Sequence, residues 1–263
     1  MHRAQRVAAA AVSAGIAAAI VLTGCSSGSG GGSGDPTTTA TSTITDPAAL
    51  VSAAADNTAA LKGAHLNLAV QGKIPNLTAK SVDADLVAQP KTAAEGTATV
   101  LLGTTEATAP FVYVDDHLYA NIDDHGYLDY GNGSSIYDVS VVLNPDKGLA
   151  HLLRSVTAPT AAGTENIDGV TTTKVAGTVP ASDLAPLTGV NIAADQNTPV
   201  PVTMWITPDN QLARVVLTPA PNASMTISLS KWNETVEVTR PSDITTPTPA
   251  TPPPSGDVSR DPA

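Results

Sequence analysis

The segment His65-Leu66-Asn67-Leu68-Ala69-Val70-Gln71 alternates polar and apolar side chains before it reaches Gly72. Successive side chains of a β-strand point to opposite faces, so the alternation places Leu66, Leu68 and Val70 together on one face. Gly72 and Pro75 end the pattern, because neither residue suits the interior of a strand. The segment therefore predicts one strand of a sheet whose two faces differ in polarity.

Further segments along the chain have the same strand character. Asp115-Asp116 separates two short apolar runs, which is the length and turn chemistry of a β-hairpin. Neighbouring strands joined by short turns pair antiparallel, so we predict a curved antiparallel meander. The predicted strands cover residues 81–88, 96–102, 111–114, 118–122, 170–179, 200–207, 212–217, 225–230 and 236–239.

A first helix is predicted before the sheet. Asp46 is a suitable N-cap, Pro47 suits the first helical position, and an Ala-rich run continues to Leu61 before Gly63. The helical period predicts a narrow buried stripe, interrupted by one polar residue and formed by Leu50, Ala54, Asn57 and Leu61.

Two shorter helices are predicted over residues 136–156. Asp138 would cap the first, Pro145 would end it, and Asp146 would cap the second. A helical turn is expected at residues 182–187. The predicted fold thus combines one sheet with a few short helices.

The N-terminus has the features of a bacterial lipoprotein signal. His2, Arg3 and Arg6 precede an apolar run over residues 7–22, which is shorter than the roughly 20 residues that span a bilayer. Leu22-Thr23-Gly24-Cys25 then supplies small residues before a cysteine. We predict that residues 1–24 are removed and that Cys25 is acylated and anchors the protein to the membrane. An ordinary secretory signal with an incidental cysteine is the alternative.

The remaining chain divides by composition into three parts. Acylated Cys25 and a Gly/Ser/Thr tether occupy residues 25–45, one domain occupies 46–241, and a Pro-rich disordered tail occupies 242–263. Loss of Arg3 and Arg6 with the signal leaves 11 Lys+Arg against 24 Asp+Glu, a net charge of −13. This charge argues against a nucleic-acid partner and against a basic membrane-docking patch.

Catalytic and metal-binding motifs do not stand out. The chain lacks G-x-S-x-G, H-E-x-x-H and phosphate-loop patterns, so we expect no enzyme and no cofactor. His117 and His125 each follow a pair of aspartates, which would suit a metal ion. Aspartate pairs are also common at turns, and we favour that interpretation and predict no metal site.

Large side chains are scarce. Aromatic residues make up 3% of the chain, so Ala, Val, Leu and Ile must form most of the interior. Such an interior is either small and filled, or it leaves room for a guest molecule.

Several longer segments resemble the mycobacterial LppX/LprA/LprF/LprG lipoprotein family, in particular its LprA and LprG branches. The resemblance extends from about Ala48 to Pro241 and excludes the Pro-rich tail. The segments that carry it are Gly72-Lys73-Ile74-Pro75-Asn76-Leu77, Phe111-Val112-Tyr113-Val114-Asp115 with Leu118-Tyr119, Ile136-Tyr137-Asp138, Val142-Leu143-Asn144-Pro145-Asp146-Lys147-Gly148-Leu149-Ala150 and Leu229-Ser230-Lys231-Trp232.

The resemblance implies an α+β fold, with a strongly curved antiparallel half-barrel whose concave face is covered by helices and encloses an apolar lipid cavity. It also implies a cell-envelope lipoprotein that carries triacylated lipids or lipoglycans across the periplasm toward the outer membrane. The implied location is the outer face of the cytoplasmic membrane, or the cell surface, and a lipid-exporting transporter is an implied partner. The alternative is a structural or immunomodulatory surface lipoprotein, a Toll-like receptor 2 ligand with a filled core and no cargo.

Strand alternation and the resemblance together predict which residues line that cavity. Ala98, Val100 and Leu102 share one face of their strand, opposite Thr97 and Thr99. Bound acyl lipid is the expected cargo. The predicted lining is Leu66, Leu68, Val70, Ala98, Val100, Leu102, Val202, Met204, Ile227 and Leu229.

Overall fold

A computed structural model describes residues 46–75, 77–122, 125–133, 139–189, 195 and 197–245. The predicted signal peptide, Cys25, the tether, Asp138 and residues 246–263 of the predicted tail lie outside the described residues. Ile244 and Thr245, which the sequence analysis assigned to the tail, pair with Tyr127 and Leu128 of the sheet.

The described chain contains three α-helices, two single 3₁₀ turns and twelve strands. The helices are α1 Pro47–Ala59, α2 Leu149–Arg154 and α3 Ala185–Thr188, and the 3₁₀ turns are Val139–Val141 and Ala181–Leu184. The strands are β1 Gly63–Gln71, β2 Ala79–Val87, β3 Ala93–Leu102, β4 Thr105–Val114, β5 His117–Ala120, β6 Tyr127–Asp129, β7 Thr157–Ile167, β8 Val170–Pro180, β9 Pro199–Ile206, β10 Leu212–Ala220, β11 Ala223–Ser230 and β12 Ile244–Thr245.

All twelve strands form one open sheet. Its order is β12-β6-β5-β4-β3-β2-β1-β11-β10-β9-β8-β7, and its neighbours pair antiparallel except β12 with β6. The sheet consists of two meanders joined at the β1–β11 pair, where Leu68 lies opposite Ile227. The predicted curved antiparallel half-barrel, with helices against its concave face, is confirmed.

Helix α1 begins as predicted, and the predicted stripe is buried at Leu50, Ala54 and Leu61 but not at Asn57. The Asp46 side chain accepts a hydrogen bond of 3.0 Å from the backbone N–H of Ala48, and Pro47 opens the helix. Asn57 was placed in the buried stripe, but its side-chain amide donates to the carbonyl oxygens of Asp209 and Asn210 at 3.0 and 3.2 Å. The buried residues are Leu50, Val51, Ala54, Ala55 and Thr58.

Two other predictions about local structure are wrong. Helix α2 starts at Leu149 with Gly148 rather than Asp146 as its N-cap, and the backbone N–H groups of Asp146 and Lys147 donate to the Asn144 side chain instead. Residues 236–239 alternate in polarity but form no strand and pair with none of the described strands.

The predicted β4–β5 hairpin is present, with a two-residue turn. Val114 pairs with His117, and both central residues are left-handed, Asp115 with φ 51° and Asp116 with φ 63°. Positive φ at both positions matches the right-handed twist of the flanking strands.

Candidate functional site

An apolar cavity lies against one half of the concave face. Its floor comes from β1 to β5 and the start of β11, and Val142 and Leu187 contribute from the covering segments. The cavity has a volume of about 110 Å³. Its sixteen lining residues are Leu66, Leu68, Leu77, Ala79, Val82, Leu86, Ala98, Val100, Ala109, Phe111, Leu118, Ala120, Ile122, Val142, Leu187 and Met225.

Small residues create this space. Across the sheet, Ala98 lies between Val82 of β2 and Ala109 of β4. Gly96 lies between Ala84 and Phe111 in the next row, and a Cβ at Gly96 would lie 2.6 Å from the Ala84 Cβ. Ala98 and Ala109 leave a volume that longer side chains would fill, whereas at Gly96 the strands lie so close that no side chain fits.

Four of the ten predicted lining residues come together at the cavity, namely Leu66, Leu68, Ala98 and Val100. Val70 is half-buried and packs against the main core without lining the cavity. The remaining buried members, Val202, Met204, Ile227 and Leu229, lie in the filled core formed by β9 and β11.

Leu102 was predicted to line the cavity, and this is wrong, because 52% of its surface is exposed. It shares a face of β3 with Ala98 and Val100 but is the last residue of the strand, where it pairs only with Thr105 of β4. Strand β2 begins at Ala79 opposite Val100, so it does not reach far enough to cover Leu102.

Twelve lining residues were missed by sequence reasoning. Those on β2 and β4 follow from the same alternation once the register is known: Val82 lies opposite Leu68, and Ala109 lies opposite Ala98. Val142 and Leu187 carry no such signal, since they belong to covering segments outside the sheet.

Three histidines, His65, His117 and His151, pair with carboxylates and do not line the cavity. His65 Nδ1 lies 2.7 Å from Asp85 Oδ1, and its Nε2 lies 3.6 Å from Asp83 Oδ1. On β5, His117 Nδ1 lies 3.0 Å from both carboxylate oxygens of Asp129. That hydrogen bond, with smaller help from the Gly131 N–H and Arg240, lowers the pKa of Asp129.

Within the described ranges, no three His, Cys, Asp or Glu side chains are arranged to hold a metal ion. Asp123 and Asp124, the two aspartates that precede His125, lie outside those ranges. In the same part of the chain, no helix combines the length and apolar character that a membrane span needs.

The family profile of the LppX_LprAFG lipoproteins matches residues 46–238. The chain belongs to this family. Among LppX_LprAFG proteins it is 41% identical over 199 residues to lipoprotein LprA of Mycobacterium tuberculosis, covering 74% of this chain and 82% of the relative. It is also 41% identical over 204 residues to the lipoarabinomannan carrier protein LprG of Mycolicibacterium smegmatis, covering 75% and 84%.

Solved LppX_LprAFG structures have the same fold. LprF from Mycobacterium bovis superposes with a TM-score of 0.68 at 27% identity, over 74% of this chain and 96% of LprF. LppX from Mycobacterium tuberculosis superposes with a TM-score of 0.57 at 30% identity, over 73% and 97%. The resemblance predicted from sequence is confirmed, and the chain has the fold of the LppX_LprAFG lipoproteins.

Proposed function

We propose that this protein binds triacylated lipids or lipoglycans by their acyl chains and carries them across the periplasm toward the outer membrane. The observation that carries the proposal is the cavity, whose sixteen lining residues are all apolar. A wall without hydrogen-bonding side chains suits a hydrocarbon tail, and each buried methylene contributes about 0.8 kcal/mol. A headgroup would remain outside such a wall.

The size of the cavity limits what it holds without rearrangement. Its volume of about 110 Å³ is somewhat below the roughly 150 Å³ of an engineered apolar cavity that binds benzene. The space therefore fits the end of one acyl chain. To hold a whole acyl chain, Val142 and Leu187 would have to move away from the floor of the cavity. The van der Waals contacts they lose would be offset by burial of the lipid hydrocarbon.

The proposed location rests on the predicted acylation of Cys25. Acyl chains on this residue would hold the protein at the outer face of the cytoplasmic membrane, where a lipid-exporting transporter could deliver the cargo. The names of relatives support the cargo class, since LprG of Mycolicibacterium smegmatis is called a lipoarabinomannan carrier protein.

The test compares bound lipid in three proteins purified from a mycobacterial envelope: the natural chain, Ala98→Trp and Thr97→Trp. Ala98 lines the cavity, whereas Thr97 is exposed on the opposite face of the same strand. We expect native mass spectrometry and solvent extraction to find lipid in the natural chain and Thr97→Trp, and much less in Ala98→Trp.

The filled core formed by β9 and β11 favours a second candidate, a surface lipoprotein with a structural or immunomodulatory role and no cargo. No extractable lipid in any of the three proteins, with Ala98→Trp destabilised by about 1–3 kcal/mol through overpacking, would support that candidate. Equal lipid in all three would remove β3 from the binding site.

A further inference from the structure

We propose that the cavity opens at the end of β3 and that Leu102 inserts into a phospholipid bilayer there, so that acyl chains pass between the membrane and the cavity without crossing water. This inference rests on the proposed lipid binding and adds the membrane-facing surface.

Exposure along a single face of β3 locates the opening. Ala94 is 0% exposed, Ala98 and Val100 are half-buried and line the cavity, and Leu102 is 52% exposed. Leu77 and Ala79, from the neighbouring start of β2, also line the cavity and are half-buried. The cavity wall therefore becomes more exposed toward this end, which we call the mouth end.

Leu102 is thus more than an isolated apolar residue on the surface. It continues the row formed by Ala98 and Val100 from inside the cavity to the tip of the β3–β4 hairpin. The tip adds Gly103 and Thr104, neither of which is charged. An exposed leucine at the end of an apolar lining presents a continuous hydrocarbon path, and exposed apolar surface of this kind marks membrane or partner contacts.

Charge around Leu102 favours a bilayer as the partner. The two segments that flank it, residues 71–80 at the β1–β2 connection and 99–108 at the β3–β4 turn, contain Lys73, Lys80 and Glu106 as their charged residues. The net charge is +1, in a chain whose total is −11. Lys80 Nζ lies 3.9 Å from Glu106 Oε1, which leaves Lys73 as the excess positive charge. A nearly neutral surface avoids repulsion from anionic phospholipids.

The molecule provides a matched control at its other end. Val170, 41% exposed, is the only other large hydrophobic residue exposed among the described residues. It starts β8, whose far end, Pro180, pairs with Pro199 at the mouth end of the sheet. Val170 therefore lies on a hairpin at the opposite end and far from the cavity wall.

The experiment uses the chain from residue 25 onward with Cys25→Ser, so that no covalent lipid contributes to docking. We compare three proteins in this background: the one without further change, Leu102→Ser and Val170→Ser. Cosedimentation is measured with vesicles of equal parts phosphatidylethanolamine and phosphatidylglycerol. Transfer of pyrene-labelled phosphatidylglycerol to unlabelled vesicles and bound lipid by native mass spectrometry are measured in parallel.

We expect Leu102→Ser to weaken docking and to slow transfer about tenfold, while bound lipid and melting temperature stay unchanged. Val170→Ser should behave like the natural protein. The inference would be overturned if Leu102→Ser docked on vesicles as well as the Cys25→Ser protein, or if Val170→Ser lost as much docking as Leu102→Ser. Either result would count whatever the amount of bound lipid. If docking depends on Leu102 but the protein contains no bound lipid, the membrane-docking surface is supported. That result would count only against the proposed carrier function.

Discussion

One row of cross-strand neighbours runs across the sheet from β8 to β4, and it is closely packed at one end and lines the cavity at the other. From β8 to β11 it contains Val175, Met204, Val215 and Ile227, all nearly or fully buried. From β1 to β4 it continues as Leu68, Val82, Ala98 and Ala109, which line the cavity. We call these regions the filled half, β8 to β11, and the cavity half, β1 to β5.

The two halves share strand alternation and antiparallel pairing, so the strand pattern does not distinguish them. The filled half has large side chains in every strand of the row and contacts α1 through β9 and β10. The cavity half ends in two alanines. Side-chain volume at equivalent positions, together with the helix that packs on each half, therefore decides where this fold holds a guest and where it forms a solid core.

The largest expected effect comes from creating a second void in the filled half. Met204 is 0% exposed, so Met204→Ala should lower the free energy of unfolding by about 2–5 kcal/mol. Val100→Ala, at the half-buried wall of the cavity, should cost at most about 1 kcal/mol. Urea unfolding measures both, and similar losses would show that the two halves are equally well packed.

Adding side-chain volume should lower the free energy of unfolding at the close-packed helix α1 and raise it in the cavity half. Ala54→Leu enlarges a fully buried residue of α1 and should destabilise the protein by about 1–3 kcal/mol. Ala109→Leu points into the cavity and should stabilise lipid-free protein by about 1–2 kcal/mol, at about 0.8 kcal/mol per buried methylene. Thermal unfolding of lipid-free samples decides this, and a destabilised Ala109→Leu would mean that the cavity is not free space.

A smaller effect is expected at two equivalent hairpin turns. The β7–β8 turn beside the filled half has Asp168 at φ 49° and Gly169 at φ 87°, whereas the cavity half has Asp115-Asp116. Asp116→Gly should stabilise the protein by about 0.5–1 kcal/mol, because glycine adopts positive φ without steric cost. Gly169→Asp should cost a similar amount. If both substitutions changed stability in the same direction, turn conformation would not be the cause.

The smallest effect concerns Asp129, at the edge of the cavity half. His117→Ala should raise the pKa of Asp129 toward its usual value, which carboxyl ¹³C NMR titration can follow. A lowered pKa in the folded state stabilises the fold above the unfolded-state pKa, and this contribution is lost as the pH falls through the folded-state pKa. The stability difference between the two proteins should therefore shrink below about pH 4. Arg240→Gln, the weaker influence, should shift the pKa less.

Local patterns in the sequence predicted the elements whose two faces differ. Leu66 and Leu68 on β1, and the Asp46 cap of α1, were placed correctly because alternation and capping are local properties. Strand β7, Thr157–Ile167, was missed because it is an edge strand that is exposed along most of its length, so it shows no alternation. Residues 236–239 do alternate but have no neighbouring strand to pair with.

The cavity was harder to predict than the sheet. Met204 and Ala98 both belong to inward faces, and alternation cannot tell which inward residue will lie beneath a helix and which beside a void. That distinction depends on register between strands far apart in the chain, such as the 159 positions between Leu68 and Ile227, and on covering residues such as Leu187. Leu102 was misplaced for the same reason, because its exposure depends on where the neighbouring strand β2 begins.

The β1–β11 pair also has a consequence for how the chain reaches its folded state. Strands β1 to β5 can pair through turns a few residues long, but the pairing of β1 with β11 closes a loop of about 160 residues. High contact order slows folding, so the two meanders should form before they join. Until β11 reaches β1, each meander leaves an unpaired strand edge open, and these edges are the sites at which two copies of the chain would associate during folding.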